Sequence, residues 1–448
     1  MDNKLSKAVL VGIAGSNNAF SLSIYNLKAF AYNDPEIRDQ WDISIIQHPL
    51  INVNRRDIEV LPLIDRIVNA KPGLIGFSCY MWNVNVFDEI AQVLRKRIPK
   101  AKIIWGGSEM SSDYLMQGKF DKLEMDFCVS GEGEVTFQEF LRNQAFGVPD
   151  LSNIPGLAYR QSTSEPFKIN PKREALEILH DVPSPFLTGV VDDEVLLRPK
   201  VEANIETQRG CNLRCSYCTY HKDMDKITYS SLERVVSEVV YLVNKGVKRV
   251  RFVDANFSSD LNYSKEILRA FIQKRFELRL MFELIPGFID EELATLFEEF
   301  SNLHPWNDIT LGVGVQSIKL ETNKAMRRGI KIEKFDQTFE LIKKHNLFAK
   351  IDLIIGLPGE NLVDIEASLE YMMETVRFGQ GHLLCFHVLR GLPGTELLEI
   401  AQKSKMTFSS EHEPHVFVES PDLPRKDMLK CLRRTAVVFR LTNHRGWA

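Results

Sequence analysis

Cys211, Cys215 and Cys218 lie in one short run, Arg209-Gly-Cys-Asn-Leu-Arg-Cys-Ser-Tyr-Cys. Thiolates are soft metal ligands, and the C-x3-C-x2-C spacing lets a single loop offer three of them to one centre. Three sulfurs can tie three corners of a four-iron cluster. Because most such clusters are tied by four thiolates, the fourth iron would stay open to a ligand from outside. The other readings are a zinc site with a remote fourth ligand, or three buried structural thiols. Zinc sites usually pair C-x2-C units, and the chain contains no second pair. Cys79, Cys128, Cys385 and Cys431 are scattered, so no auxiliary cluster is expected. An odd total of seven cysteines fits a reducing cytoplasm better than a disulfide framework.

A loop of this kind needs rigid elements beneath it. Val201–Thr207 has strand character and leads straight into the cysteines. Ser230-Ser-Leu-Glu233 has capping-box form and opens a helix with Leu232, Val235, Val236, Val239, Val240 and Val243 on one face, ended by Gly246. Strand-like Val247–Asp254, Thr310–Ser317, Lys350–Gly356 and Leu383–Leu389 follow, and Glu283 ends a further strand. Helical patterns at Phe335, Phe339, Ile342 and at Ile365, Leu369, Met372, Val376 alternate with them. About six such units predict a partial (β/α)6 barrel of the TIM type, smaller than the eightfold one, with its function at the carboxyl ends of the strands.

Residues 1 to about 145 also alternate strand and helix. Lys7–Ile13, Asp42–Gln47, Leu74–Ser78, Lys102–Trp105 and Asp126–Val129 read as short apolar strands, and Val84, Phe87, Ile90, Ala91, Leu94 and Ile98 repeat as on a helix. This predicts a doubly wound, Rossmann-like parallel sheet, which binds ligands at its strand ends. Those ends carry Gly76-Phe-Ser-Cys-Tyr-Met-Trp-Asn83, Gly106-Gly107-Ser108 and Gly131-Glu132-Gly133-Glu134. Ile154–Arg160 and Phe167–Asn170 read as a small hairpin, and Pro183-Ser-Pro185 with Pro199 as an extended connection.

The cysteine spacing resembles that of the radical S-adenosylmethionine (SAM) enzymes, and the strand ends of the first domain together resemble the cobalamin-binding domain joined to many of them. The resemblance covers about residues 5–400. It implies a [4Fe-4S] cluster on Cys211, Cys215 and Cys218, SAM chelated to the open iron, and cobalamin. Tyr217 is then expected beside the adenine, with Asp254 standing in for an absent Gly-Gly-Glu at the second strand end. Glu283 either contacts the ribose or begins the loop to Pro286, and Gln316 and Ser317, from Gly314-Val-Gln-Ser317, are expected as polar contacts of SAM. Arg327 or Arg328 is a candidate partner of the SAM carboxylate, although arginines on exposed helices seldom have so specific a role. Gly356-Leu-Pro-Gly-Glu360 and Gly391-Leu-Pro-Gly-Thr395 match family turns and read as tight strand exits.

For cobalamin, Ser78 and Gly106-Gly107 match the serine and double glycine along the nucleotide tail. Tyr80, Trp82 and Asn83 are expected at the lower face, with Trp82 or Tyr80 as its shield, and Gly131 and Glu132 at the next strand end. No Asp-x-His-x-x-Gly follows the first strand, and His48 lies outside such a motif, so cobalamin is expected without a protein histidine on cobalt. The domains expected are cobalamin-binding at 1–148, a linker with hairpin at 149–199, the radical SAM barrel at 200–398 and a C-terminal cap at 399–448. His412, His415, Cys431 and His444 in the cap match no metal site.

The resemblance implies an enzyme that forms a 5′-deoxyadenosyl radical and methylates an unactivated carbon of a small-molecule biosynthetic intermediate from methylcobalamin. Rearrangement or cyclisation without methyl transfer uses the same motifs. A tRNA-modifying enzyme would bring further N-terminal cysteines and a basic appendage, and a cobalamin sensor or carrier would have no use for the cysteine loop. With a net charge of −4 over 448 residues, 44% hydrophobic and 26% charged, there is no overall basic footprint for nucleic acid. The basic residues from Arg425 to Arg445 read as a solvated helix face. No signal-peptide pattern and no apolar run of membrane-spanning length appears, so a cytoplasmic protein without membrane contact is expected. The expected partners are the small-molecule substrate and a flavodoxin- or ferredoxin-type electron donor. The cysteine loop thus reads as one half of a two-cofactor site.

Overall fold

The computed structural model describes residues 5–16, 18–49, 56–145, 147, 150–177, 179–220, 224, 226–375, 382–409 and 415–442. The chain divides into two compact units, residues 1–204 with 240–247, and residues 205–239 with 248–448. No helix of the described residues is long and apolar enough to cross a membrane.

The first unit is built on a seven-stranded sheet, β1 (Ser6–Ile13), β2 (Trp41–His48), β3 (Leu74–Ser78), β4 (Lys102–Gly106), β5 (Phe127–Val129), β6 (Leu157–Tyr159) and β7 (Lys168–Ile169). Its order is β2-β1-β3-β4-β5-β6-β7. The first five strands are parallel, and every residue of β3 is buried. That follows from helices on both faces, which demand continuous rather than alternating apolar strands. Phe77 stacks on Phe87 of the helix Val84–Arg97, with ring centroids 4.6 Å apart, and meets Trp105 edge-on at 5.8 Å. The predicted hairpin forms, but it is more than a spacer: β6 pairs antiparallel with β5 and extends the sheet. The order reverses direction at β1 and β3, so the crevice that such sheets use for ligands opens between the ends of those two strands.

A second sheet has six strands, five of them wholly within the second unit. Its strands are β8 (Ala203–Ile205), β11 (Arg249–Phe252), β12 (Arg279–Leu284), β13 (Asp308–Gln316), β14 (Phe348–Ile355) and β15 (Leu383–Val388), and neighbours from β11 to β15 run parallel. Their order is β15-β14-β13-β12-β11-β8. Helices such as Leu261–Lys274, Glu291–Asn302, Ile332–Lys344 and Leu362–Thr375 alternate with the strands, giving a partial barrel. Phe252, Phe257, Phe282 and Phe297 interlock between sheet and helices, with centroids as close as 4.1 Å. On β13, Ile309, Leu311, Val313 and Val315 are buried in that layer, which leaves Thr310, Gly312, Gly314 and Gln316 on the inner face.

The capping box sits one residue later than its form predicts. Ser231, not Ser230, accepts the N–H of Arg234 through Oγ at 3.2 Å, at the start of the helix Leu232–Asn244. A short ribbon, β9 (Gln208–Arg209) with β10 (Thr228–Tyr229), closes the base of the cysteine loop. A second ribbon, β16 (Thr407–Phe408) with β17 (Phe417–Glu419), and the helix Arg425–Thr442 finish the chain, the helix packing on β15 and on Leu362–Thr375. Phe417 covers the exit of β14, where a Cβ on Gly356 would lie 2.3 Å from its ring. His412, His444 and Val376 lie outside the described residues.

Candidate active site

The three cysteines, Tyr217, Glu283, Gln316, Arg328 and Asp352 line one open cleft at the strand exits of the second unit, with Leu213, Leu284 and Ile285 as apolar wall. The loop is anchored on both sides. Below it, the carboxylate of Asp254, 1% exposed, accepts from Thr207 N (2.8 Å), Thr207 Oγ1 (2.6 Å) and Gln208 N (3.0 Å). Beside it, Ser216 N donates to the carbonyl of Met326 (3.0 Å), and Leu397 N donates to the carbonyl of Ser216 (2.9 Å). Burial drives the Asp254 carboxyl up to about 7, against the pull of the Thr207 and Gln208 donors.

Burial raises the thiol of Cys211 and pushes that of Cys218 up to about 11. Iron binding must therefore displace their protons. Among the described residues no three His, Cys, Asp or Glu side chains converge on a single ion. A four-iron cluster asks for something different, since each thiolate takes its own iron.

Arg328 completes this wall. It is 8% exposed, and its Nη1 lies 3.8 Å from Cys215 Sγ and 3.3 Å from the Tyr217 hydroxyl, while Nη2 donates to the carbonyl of Gly314. Burial works against its charge, but Tyr217 and Cys215 beside it raise its pKa overall. Gln316 is held at φ +65, where the register of β13 against β14 slips between Gly314 and Gln316. Positive φ is uncommon outside glycine, and such strain tends to collect at ligand sites. The Oε1 of Gln316 and the Nε of Arg328 are buried without a hydrogen-bond partner among the described residues. Two residues that line the cleft thus each keep one buried polar atom unsatisfied, an acceptor on Gln316 and a donor on Arg328.

The inner face of the sheet is charged. Arg251 Nη2 donates to Glu283 (2.9 Å), Lys350 pairs with Asp352 (3.1 Å), and His387 Nε2 lies 2.8 Å from Asp352 Oδ1. Burial alone would raise Asp352, but His387 and Lys350 hold it below the usual carboxylate range. Gly312 makes room for this arrangement, since a Cβ there would lie 2.2 Å from Glu283 Oε2.

Of the residues expected at SAM, Tyr217, Glu283 and Gln316 line the cleft with the cysteines, while Asp254 and Ser317 do not. Asp254 is occupied in holding the loop. Ser317, 1% exposed, donates to Glu360 and accepts from Lys319 N (3.0 Å). Arg328 carries more than its sequence setting suggests. The helix stops at Ala325 and the chain turns at Arg327 (φ +52), so Arg328 faces inward and exposed Arg327 pairs with Glu396. Asp352 lies within β14 and has no sequence signal of its own.

In the first unit, Ser78, Tyr80, Trp82 and Asn83 meet at the crevice between the ends of β1 and β3. The rings of Tyr80 and Trp82 stack in parallel at 4.5 Å, and Trp82 stays 40% exposed. Trp82 Nε1 donates to Ile13 O (3.1 Å) and its ring lies over Gly15. Ser23, which no motif singles out, links Ser78 Oγ (2.8 Å) to the Tyr80 hydroxyl (3.3 Å). Asn83, 1% exposed, is a strut: it accepts from Tyr80 N (2.8 Å) and donates to Ser78 O (3.0 Å). Gly107 sits at φ +109, and a Cβ there would lie 2.4 Å from the Cys79 carbonyl, whereas one on Gly106 would meet nothing closer than 3.6 Å. Gly131 (φ +87) borders open space, but Glu132 is turned away to accept from Leu176 N (2.5 Å). His48 bonds its own neighbour, with Nδ1 2.8 Å from Pro49 O. The stacked aromatic pair, with Trp82 exposed and Tyr80 half-buried, and the glycine platform beside it fit a flat, bulky cofactor.

Family models agree with this division. Residues 205–372 match the radical SAM superfamily, and residues 38–141 match the B12-binding domain. The chain joins a B12-binding domain to a radical SAM domain. It is 27% identical over 364 residues to the cobalamin-dependent radical SAM methyltransferase TokK of Streptomyces tokunonensis, covering 78% of this chain and 50% of that protein. It is 24% identical over 415 residues to the 2-(S-pantetheinyl)-carbapenam-3-carboxylate methyltransferase of Streptantibioticus cattleyicolor, covering 89% of this chain and 57% of that one. The chain thus spans about half the length of these curated relatives. In fold, it resembles the radical SAM methyltransferase TsrM of Kitasatospora setae, solved with cobalamin and a [4Fe-4S] cluster bound. The TM-score is 0.69 at 19% identity, over 92% of this chain and 82% of that one. It also resembles OxsB, solved with aqua-cobalamin, with a TM-score of 0.72 at 13% identity over 97% and 67%.

Proposed function

We propose that this radical SAM, B12-binding chain is a C-methyltransferase acting on an unactivated carbon of a small-molecule biosynthetic intermediate. The observation that carries this is the pairing, on one chain, of a three-thiol loop at a barrel mouth with an aromatic-floored crevice in a B12-binding sheet. When bound, the cluster and SAM supply a carbon radical able to remove a hydrogen atom, and cobalamin carries the methyl group.

Each role falls to residues described above. Cys211, Cys215 and Cys218 hold three irons. Gln316 and Arg328 would meet the ammonium and carboxylate of SAM, Tyr217 would back the adenine, and Glu283 would serve the ribose, all four lining the same cleft as the cysteines. Asp254 and Ser216 keep the loop in position. In the other unit, Tyr80 and Trp82 floor the cobalamin, steadied by Ser23 and Asn83, and Gly107 lets the backbone approach its tail. No histidine stands between β1 and β2, so that loop would offer no imidazole to a bound cobalamin. Leu213, Leu284 and Ile285 keep one wall of the cleft apolar, which helps exclude water from a reactive species. The electron is supplied by a flavodoxin- or ferredoxin-type partner, and a reducing cytoplasm would preserve both cluster and thiols.

The test is anaerobic purification followed by incubation with SAM labelled in its methyl group. Expected are absorption bands of both cofactors, 5′-deoxyadenosine, and a product heavier by the labelled methyl. Cys215→Ala should abolish SAM cleavage. Product formed without label refutes methyl transfer and leaves rearrangement, and product formed by the Cys215→Ala protein refutes the radical route.

A further inference from the structure

We propose that Arg328 tunes the reduction potential of the cluster held by the cysteine loop; this rests on the proposed function. A guanidinium that is 8% exposed sits with Nη1 3.8 Å from the sulfur of Cys215. Its aim is fixed by the fold. Nη2 is tied to the Gly314 carbonyl, and the backbone that delivers it is bonded to the cysteine loop itself, through Ser216 N to Met326 O (3.0 Å). Arg328 N in turn donates to Asn323 O (2.8 Å), closing the turn that points the side chain inward.

Hydrogen bonds to cluster sulfurs and the local charge are what set such potentials. Arginine keeps its proton under all working conditions. Arg328 therefore presents a permanent cation to a ligating thiolate and stabilises the added electron. The step is a one-electron reduction by a donor of the flavodoxin or ferredoxin class. The donor is oxidised by one electron, the cluster gains it, and no bond or proton changes place.

The experiment is an anaerobic redox titration of the cluster, read by electron paramagnetic resonance, without SAM. It compares wild type, Arg328→Lys, Arg328→Gln and, as control, Arg327→Gln, whose exposed side chain pairs with Glu396. Loss of one charged hydrogen bond makes reduction about tenfold less favourable, a fall of about 59 mV for one electron. Arg328→Gln should show that fall, Arg328→Lys less than half of it, and Arg327→Gln none. An Arg328→Gln potential within about threefold of wild type, or about 28 mV, overturns the proposal. So does failure of both Arg328 variants to take up a cluster that wild type accepts, since a tuning residue is not required for assembly. A wild type that takes up no cluster refutes the proposed function, and this proposal with it, and is recognised by its missing absorption. If Arg328 serves SAM alone, its variants weaken SAM binding while the SAM-free potential stays put, and the proposal falls.

Discussion

Replacing Asp254 separates holding the cysteine loop from binding a ligand. Its carboxylate accepts from two backbone N–H groups and one hydroxyl, all buried. Asp254→Ala strands the two fixed donors, Thr207 N and Gln208 N, at about 1–3 kcal/mol each, so a loss of about 2–6 kcal/mol is expected. The hydroxyl of Thr207 can turn elsewhere. Asp254→Asn keeps an oxygen for both N–H groups, and the Thr207 hydroxyl can rotate to accept from the amide.

The pH dependence follows from the same environment. Burial lifts the Asp254 carboxyl from 3.8 to about 7. The folded pKa is above the unfolded one, so its stabilising contribution is full below about pH 4 and is lost as pH rises through 7. A rise of that size corresponds to on the order of 4 kcal/mol. Asn does not titrate, so Asp254→Asn should gain on wild type by that order between pH 4 and pH 8. Urea unfolding of the cluster-free protein across this range measures the gap. Iron per chain after anaerobic reconstitution reports the loop, with Asp254→Ala expected to lose most of it and Asp254→Asn little. Parallel urea midpoints for wild type and Asp254→Asn, or full iron in Asp254→Ala, would refute the reasoning.

The other predictions concern single positions. Gly107→Ala meets both a positive φ, costing about 1–2 kcal/mol, and the Cys79 carbonyl at 2.4 Å, so it should lose cobalamin on desalting, while Gly106→Ala, with 3.6 Å of room, should retain it. Gly312→Ala should push the Glu283 carboxylate off Arg251 and weaken SAM binding by on the order of tenfold, read by equilibrium dialysis with the fold unchanged. Burial raises buried Glu360 from 4.5 to about 8, so wild type loses stability as pH rises toward 8. Glu360→Gln, able to keep a bond to Ser317, should gain on the order of 3 kcal/mol relative to wild type between pH 6 and pH 9. Equal thermal midpoints for the two proteins at both pH values would argue against a buried, neutral Glu360.

Much of this protein is local in origin. The spacing of Cys211, Cys215 and Cys218 sits on one loop, so their convergence on one cleft is legible without the fold. Short apolar runs such as Leu74–Ser78 and the 3.6-residue pattern from Val84 declare their elements because burial acts on each segment separately. Once those elements alternate, strand ends are where a ligand must go, which is why Ser78, Tyr80, Trp82, Asn83 and Gly107 are legible as neighbours. The capping residue differs by one, since Ser230 and Ser231 both suit the position and only the backbone bond to Arg234 separates them.

The rest depends on register between distant segments. Asp254 reads as a ligand contact because it ends a strand. Only the pairing of β11 with its neighbours turns its oxygens toward Thr207 and Gln208, spending them on the chain. Arg328 looks like a surface residue beside Arg327 until the helix stops at Ala325 and the turn bonds to Ser216. Gly312 is an ordinary strand glycine until its register places Glu283 across it. Residue types and spacing determined by themselves which chemistry the chain can support, because metal ligation and element formation are short-range. Which polar atoms remain free for a ligand was decided only by the tertiary structure, because a buried hydrogen-bonding atom takes the nearest partner, and that partner is set by strands many residues apart.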